Sequence, residues 1–161
     1  MFANIRLCEP EEKQRQIDYL STTPVAVIAE LLRSGRCVLK KGTVSSLQII
    51  GKLKTEFGPI GPLVPSSKTG EAKFLVSEIV PVLRANQEVC DDGLLKKIQA
   101  IIEKEAKNEI EFNNTVLLLS NEPILKDGNK RTISFFENRK HSNQDKISYE
   151  MFLVEPAQNG T

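Results

Sequence analysis

The stretch KISYEMFLVEP, residues 146–156, decides the fold class. Its side chains alternate between two sets, and the first set is apolar or aromatic: Ile147, Tyr149, Met151 and Leu153. A period of two residues is that of a β-strand, whose successive side chains point to opposite faces of a sheet. The stretch therefore predicts a strand near the end of the chain.

Two further strands are predicted upstream of this stretch. NNTVLLLSN is typical of a buried strand at 115–119, and RTISFF of a strand at 131–136. The Asp-Gly pair at 127–128 lies between them and is a hairpin signal, so DGNK is predicted as a strand-to-strand turn. The polar segment RKHSNQDK (139–146) is predicted as the loop that leads into the last strand.

The first two thirds of the chain contain helix patterns. STTPVAVIAELLRSG (21–35) predicts a helix, with Thr23 as its cap and Pro24 in the first helical position. TVSSLQIIGKLKTEFG (43–58) and LLKKIQAIIEKEAKN (94–108) also place apolar residues at helical spacing. Three helices are therefore expected before the C-terminal strands.

Strands are also predicted at 36–42 (RCVLKKG) and at 74–83 (FLVSEIVPVL). Helices and strands are thus followed by strands alone, an order that predicts an α+β fold with N-terminal helices packed on a partly antiparallel sheet. We expect one domain over residues 1–161, with 1–20 as an N-terminal segment and 157–161 frayed.

Charge and hydropathy exclude two classes of partner. The formal net charge of +1 provides no field that would attract nucleic acid or an anionic membrane. No apolar run reaches the ~18 residues that a membrane span needs. The N-terminal residues lack the pattern of a signal peptide, so a cytoplasmic protein is expected.

Cysteine and histidine usage excludes the common metal sites. Cys8, Cys37 and Cys90 are odd in number and far apart, which argues against a disulfide framework and against zinc. His141 is the one histidine, so a site that needs two or three imidazole ligands cannot be built within one chain. We expect no metal site, and we expect His141 to be a solvated loop residue.

The stretch PILKDGNKRT (123–132) resembles the catalytic loop of Fic/Doc domains, which transfer a nucleotide or phosphate to a hydroxyl. DGNKRT matches the second half of that loop, Asp-Gly-Asn-x-Arg. The resemblance implies that backbone amides cradle phosphate, that Asn129 holds the loop, that Arg131 pairs with phosphate oxygens and that Asp127 helps place a metal. Pro123 stands where that family has its histidine base, and the flanking residues favour strands where that family has helices.

A second resemblance covers most of the chain. LLRSGRCVLKKG (31–42), FGPIGPLVPSSKTGE (57–71), VSEIVPV (76–82) and TVLLLSNEPILKDGNKRTISF (115–135) follow the order of similar segments in taurine-dioxygenase-like and asparagine-oxygenase-like iron/2-oxoglutarate enzymes. The resemblance implies a reduced jelly roll, a shortened double-stranded β-helix. Lys126 takes the position of the distal iron-binding histidine, and the His-x-Asp/Glu pair of that family has no counterpart.

That alignment implies a ligand pocket and a partner. The pocket residues would be Ser66, Ser67, Lys68, Asn121, Lys126, Arg131 and Arg139. Because Lys and Arg suit a carboxylate or phosphate, a small anionic ligand is expected. No cofactor is expected, and iron and 2-oxoglutarate would bind only if another chain completed the site. A shortened barrel exposes strand edges, so a homodimer or a heteromeric protein partner is expected.

Two kinds of function stay open at this point. The main hypothesis is a non-catalytic relative of the oxygenases that binds a small anion or a protein, for example as an accessory subunit of a biosynthetic enzyme. The alternative is an active enzyme whose site is of an unrecognised type, including a degenerate Fic-like nucleotidyl or phosphoryl transferase. An unrelated small α+β binding module is a further alternative.

Overall fold

The computed structural model describes residues 2–55, 74–85, 93–106, 115–119, 123–142 and 146–158. Within them the chain forms seven strands and six helices. The strands are β1 (Ala3–Leu7), β2 (Cys37–Ser46), β3 (Lys54–Thr55), β4 (Phe74–Leu75), β5 (Val116–Leu118), β6 (Ile124–Asp127) and β7 (Lys146–Pro156). The helices are α1 (Pro10–Ser21), α2 (Ala26–Arg33), α3 (Leu47–Gly51), α4 (Val76–Ala85), α5 (Gly93–Ala106) and α6 (Asn129–His141).

These strands form one mixed, mostly antiparallel sheet in the order β1-β2-β7-β5-β6-β3-β4. The strand predicted at 146–156 is confirmed as β7, which lies inside the sheet. β7 pairs antiparallel with β2 on one side and parallel with β5 on the other. The strands predicted at 36–42 and 115–119 are confirmed as these two neighbours.

Helices cover both faces of the sheet, and the alternation within β7 separates the two cores. Met151 and Leu153 are buried in the core that also contains residues of α3, α4, α5 and α6. Phe152 and Val154 are buried in the core formed with α1 and α2. The register keeps this division, because Leu39 of β2 lies opposite Val154 and belongs to the same core. The predicted α+β fold, with N-terminal helices packed on a partly antiparallel sheet, is confirmed.

The strand predicted at 131–136 is wrong, because these residues belong to helix α6. The segment DGNK is therefore a strand-to-helix turn rather than a hairpin turn. Every residue from Thr132 to Glu137 is buried. A helix that is buried all round lacks the one-sided apolar stripe of a surface helix, so its sequence cannot be distinguished from a buried strand by periodicity.

The strand predicted at 74–83 is also wrong beyond its first two residues, since α4 begins at Val76. The buried residues of α4 are Val76, Ile79, Val80 and Leu83, and this spacing is that of one helix face. Pro81, which is typical of a strand edge, lies inside the helix. The helical spacing was present in the sequence, and the β-branched residues outweighed it.

Three other segments differ from their predictions. The helix predicted over 43–58 is reduced to α3, because β2 continues to Ser46 and β3 begins at Lys54. The N-terminal segment 1–20 contains β1 and most of α1. His141 is exposed as expected, but it ends α6 instead of lying in a loop. The helices predicted at 21–35 and 94–108 correspond to α2 and α5.

Candidate functional site

The turn from β6 into α6 is shaped by a bulge in β6. Leu117 of β5 pairs with Leu125, and the adjacent Val116 pairs with Asp127, so Lys126 is an extra residue in β6. A bulge re-aims the side chains that follow it. Asp127 accordingly contacts α1, which lies on the face of the sheet opposite α6. There the Tyr19 hydroxyl donates a hydrogen bond to Asp127 Oδ2 at 2.8 Å.

Gly128 makes the turn that follows. Its φ of +77° lies in the left-handed region, which side chains other than glycine rarely adopt. The turn also passes very close to the residue before β5, because a Cβ at Gly128 would lie 2.6 Å from Thr115 Oγ1 and 2.9 Å from Thr115 Cα. Both the conformation and the close approach require glycine at this position.

A buried set of hydroxyl groups holds the turn against the sheet. The Tyr149 hydroxyl lies 3.0 Å from Thr115 Oγ1 and 3.1 Å from Thr132 Oγ1. Thr132 Oγ1 also donates to the carbonyl oxygen of Gly128 at 2.9 Å, as does the Thr132 backbone N–H. The first turn of α6 is thereby tied to β7 and to the residue that precedes β5.

A cleft of about 490 Å³ opens at this turn, where α6 begins. It lies at the carboxyl end of β6. Helices from both faces of the sheet border it, because residues of α1 and α5 also line it. Its lining residues are Tyr19, Ile101, Lys104, Asp127, Gly128, Asn129, Lys130 and Arg131. The volume falls within the ~300–1,000 Å³ that is usual for small-molecule sites.

The cleft has a cationic part and an acidic corner. Lys104 of α5 and Lys130 and Arg131 of α6 supply three cations. They surround the start of a 13-residue helix, where the helix dipole places partial positive charge. The Asp127 carboxylate, held by Tyr19, forms the acidic corner. The arrangement is therefore suited to an anionic group, with a hydrogen-bond acceptor beside it.

Of the predicted site residues, Arg131 lines the cleft. Lys126 is the half-buried bulge residue of β6, and it is not among the lining residues. Arg139 lies ten residues along α6 from Asn129, about 15 Å by helix rise, and its guanidinium packs 4.8 Å from the centre of the Phe135 ring. Ser66, Ser67, Lys68 and Asn121 lie outside the described residues, so the full predicted cluster stays a prediction.

The sequence analysis missed the two polar residues that other helices bring to the cleft, Tyr19 and Lys104. Tyr19 belongs to α1, whose start is marked by Pro10 at the first helical position and by acidic residues in the first turn. That signal was present in the sequence. Lys104 comes from α5 and resembles any exposed helix lysine, so nothing local distinguished it.

A second charged cluster joins β1, α1 and β2. Glu12 accepts hydrogen bonds from Arg6 at 2.9 Å and from Lys41 at 3.2 Å, and Lys41 also pairs with Glu150 at 2.9 Å. The hydrogen bond from Arg6, helped by Lys41, lowers the pKa of Glu12 to about 2. Burial and the nearby Glu12 raise the pKa of Cys8 to about 11, so this thiol is held protonated and unreactive. The cluster links secondary-structure elements, and its charges pair with one another.

Across the described ranges, His, Cys, Asp and Glu side chains form no group of three that could hold a metal ion. None of the helices in those ranges has the length and apolar character to cross a bilayer.

Comparison with known proteins finds no relative. No protein-family model matches the chain, and neither a curated protein nor a solved structure is similar to it at a significant level.

Proposed function

We propose that this protein binds a small anionic ligand, a phosphate or carboxylate group, in the cleft at the start of α6. The observation that carries the proposal is the meeting of Lys104, Lys130 and Arg131 with the positive end of a helix in one cleft of about 490 Å³. Helix N-termini and guanidinium groups are the protein groups that most often hold such anions.

The cations of the cleft come from two helices, α5 and α6, and the two helices have different roles towards the anion. The backbone of Lys130 and Arg131 is held in place, because Gly128 and Thr132 anchor the first turn of α6. Lys104 reaches the cleft from α5, so an anion bound between α5 and α6 would be contacted from both helices. A charge held between two packed elements is less screened than one on an open face.

The proposal is one of binding rather than catalysis. The sole histidine, His141, ends α6 about 18 Å by helix rise from Asn129, so imidazole is not at hand as a general base in the cleft. Asp127 already accepts the Tyr19 hydroxyl. An active Fic-like transferase remains the alternative. α6 after the DGNK turn matches the helix that such a loop would precede, while β6 before it does not.

Descent from the iron/2-oxoglutarate oxygenases, with a reduced jelly roll, is proposed on narrower support. The segment LLRSGRCVLKKG forms α2 and the start of β2 in the order that the resemblance implies. Two further segments of the resemblance, 76–82 and 131–135, are helical. The second sheet of a jelly roll is not found in the part of the chain that the structure describes.

A protein partner is proposed at the edge strand β1. All five of its residues are exposed, including Ile5 at 52% and Leu7 at 63%. β1 pairs with β2 alone among the described strands, so its outer edge is available for a strand of a second copy. Sedimentation velocity of the wild type and of Ile5→Lys tests this, and a concentration-independent monomer would contradict it.

The free thiols of Cys8 and Cys37 support a reducing compartment, the cytoplasm.

The anion proposal is tested by titrating the ¹⁵N-labelled protein with inorganic phosphate. We expect the amide resonances of residues 128–131 to shift first. The double variant Lys104→Gln/Lys130→Gln should weaken binding about tenfold or more, equivalent to ~1.4 kcal/mol. Lys97→Gln is the matched control, because Lys97 is an exposed lysine of α5 outside the cleft lining. Equal weakening by the control, or shifts centred elsewhere, would refute the site.

A further inference from the structure

We infer that the ligand of this cleft is a phosphate monoester that carries neighbouring hydroxyl groups, as a sugar phosphate does. The inference rests on the proposed function and adds the part of the ligand that is not the anion. It follows from the acidic corner formed by Asp127 and Tyr19, which an anion alone does not use.

The acidic corner can accept hydrogen bonds from the ligand. A carboxylate offers about four acceptor sites, and the Tyr19 hydroxyl at 2.8 Å accounts for one of those on Asp127. A hydroxyl group of the ligand can donate to the remaining acceptor sites of Asp127, whereas a second anionic group would be repelled by this carboxylate.

The distance between the two parts of the cleft suits a small organic phosphate. Asp127 and Lys130 are three residues apart, so their Cα atoms are separated by at most roughly 11 Å. The volume of about 490 Å³ leaves room beyond a phosphate group. Ile101 and the Tyr19 ring supply apolar surface against which the carbon skeleton of a sugar can lie.

Hydroxyl groups fit the acidic corner better than an ammonium group. Among the described residues that line the cleft, three are cationic and Asp127 is the one carboxylate, so a positively charged ligand group would be repelled by Lys104, Lys130 and Arg131. A neutral hydroxyl donates to Asp127 without that cost. The ligand class is therefore a phosphorylated polyol rather than a phosphorylated amine or a bisphosphate.

Three probes distinguish this inference from anion binding in general. Inorganic phosphate, ribose 5-phosphate and 2-phosphoglycolate are titrated into the wild-type protein by calorimetry. We expect ribose 5-phosphate to bind about tenfold or more tightly than phosphate, and 2-phosphoglycolate to bind more weakly than ribose 5-phosphate because its carboxylate meets Asp127. If 2-phosphoglycolate binds as tightly as ribose 5-phosphate, the inference is overturned.

The variant Asp127→Asn tests the acidic corner directly. We expect weaker binding of ribose 5-phosphate, with the affinity for inorganic phosphate unchanged or higher, so that the ratio of the two falls. Lys130→Gln should weaken both ligands by a similar factor. An unchanged ratio in Asp127→Asn overturns the sugar-phosphate inference while leaving anion binding intact. Absence of binding by all three probes to the wild type overturns the proposed function itself.

The wild-type comparison does not depend on whether Asp127→Asn folds. Each of the three probes contains one phosphate group, and the probes differ only in what is attached to that group. The urea midpoint of the variant, compared with that of the wild type, shows whether its binding data report on the cleft.

Discussion

Replacing Gly128 with alanine tests the turn on which the candidate site depends. Alanine at a φ of +77° costs ~1–2 kcal/mol of backbone strain. The added Cβ would also lie 2.9 Å from the Cα atom of Thr115, and this backbone, which leads directly into β5, cannot move aside as a flexible side chain can. Overpacking of this kind costs about 1–3 kcal/mol in addition.

Gly35→Ala is the matched control for this substitution. Gly35 has the same φ of +77°, but a Cβ there would meet nothing within 4 Å. Alanine also lowers the entropy of the unfolded chain, by a similar amount at both positions. The difference between the two variants therefore isolates the contact with Thr115, and we expect Gly128→Ala to be the less stable by about 1–3 kcal/mol.

Urea unfolding followed by circular dichroism measures both free energies, provided that the m-values agree. Phosphate titration of the two folded variants adds a second readout, because only Gly128→Ala should displace the first turn of α6 and weaken anion binding. Equal destabilisation of the two variants would refute the close approach of this turn to β5.

Three further substitutions test other parts of the fold. Tyr149→Phe should cost about 1 kcal/mol in urea unfolding, because it leaves the buried Thr115 and Thr132 hydroxyls with one partner fewer; an unchanged midpoint would contradict the hydroxyl network. Glu12→Gln should lower the free energy of unfolding at neutral pH. Because the pKa of Glu12 is lowered to about 2, its carboxylate stabilises the fold above pH 4.5, and this stabilisation is lost as pH falls towards 2. The difference between the variant and the wild type should therefore shrink over this range. A pH-independent difference would argue against the pairing with Arg6, and Glu11→Gln serves as control. Gly51→Ala should cost about 1–3 kcal/mol because its Cβ would lie 2.7 Å from Cε2 of the Phe136 ring, and Phe136→Leu should relieve part of that loss in a double-mutant cycle.

Local sequence signals predicted the elements that have one exposed and one buried face, or a clear strand period. α2, α5 and β7 were found in this way, because their patterns report directly on the faces that the fold buries. The long run 131–136 failed for the opposite reason. It is buried on every side in α6, so its periodicity carries no information about helix or strand.

The candidate site was predicted only in part. The DGNKRT stretch drew attention because Gly, Asp and Asn favour tight turns, and Arg131 was placed in an anion site. The partner strand and the partner helices of that turn could not be inferred. Tyr19 contacts Asp127 across 108 positions of sequence, and no local pattern encodes such a contact.

The sequence by itself determined the fold class, the alternation of β7 that separates two cores, and the exclusion of imidazole-rich metal sites by the single His141. Only the tertiary structure decided that the residues after Gly128 form a helix, because burial by α4 and α5 overrides their strand-like composition. It also decided that Lys104, Lys130 and Arg131 share one cleft with Asp127. Packing of elements distant in sequence sets such neighbours, and that packing is a property of the whole chain.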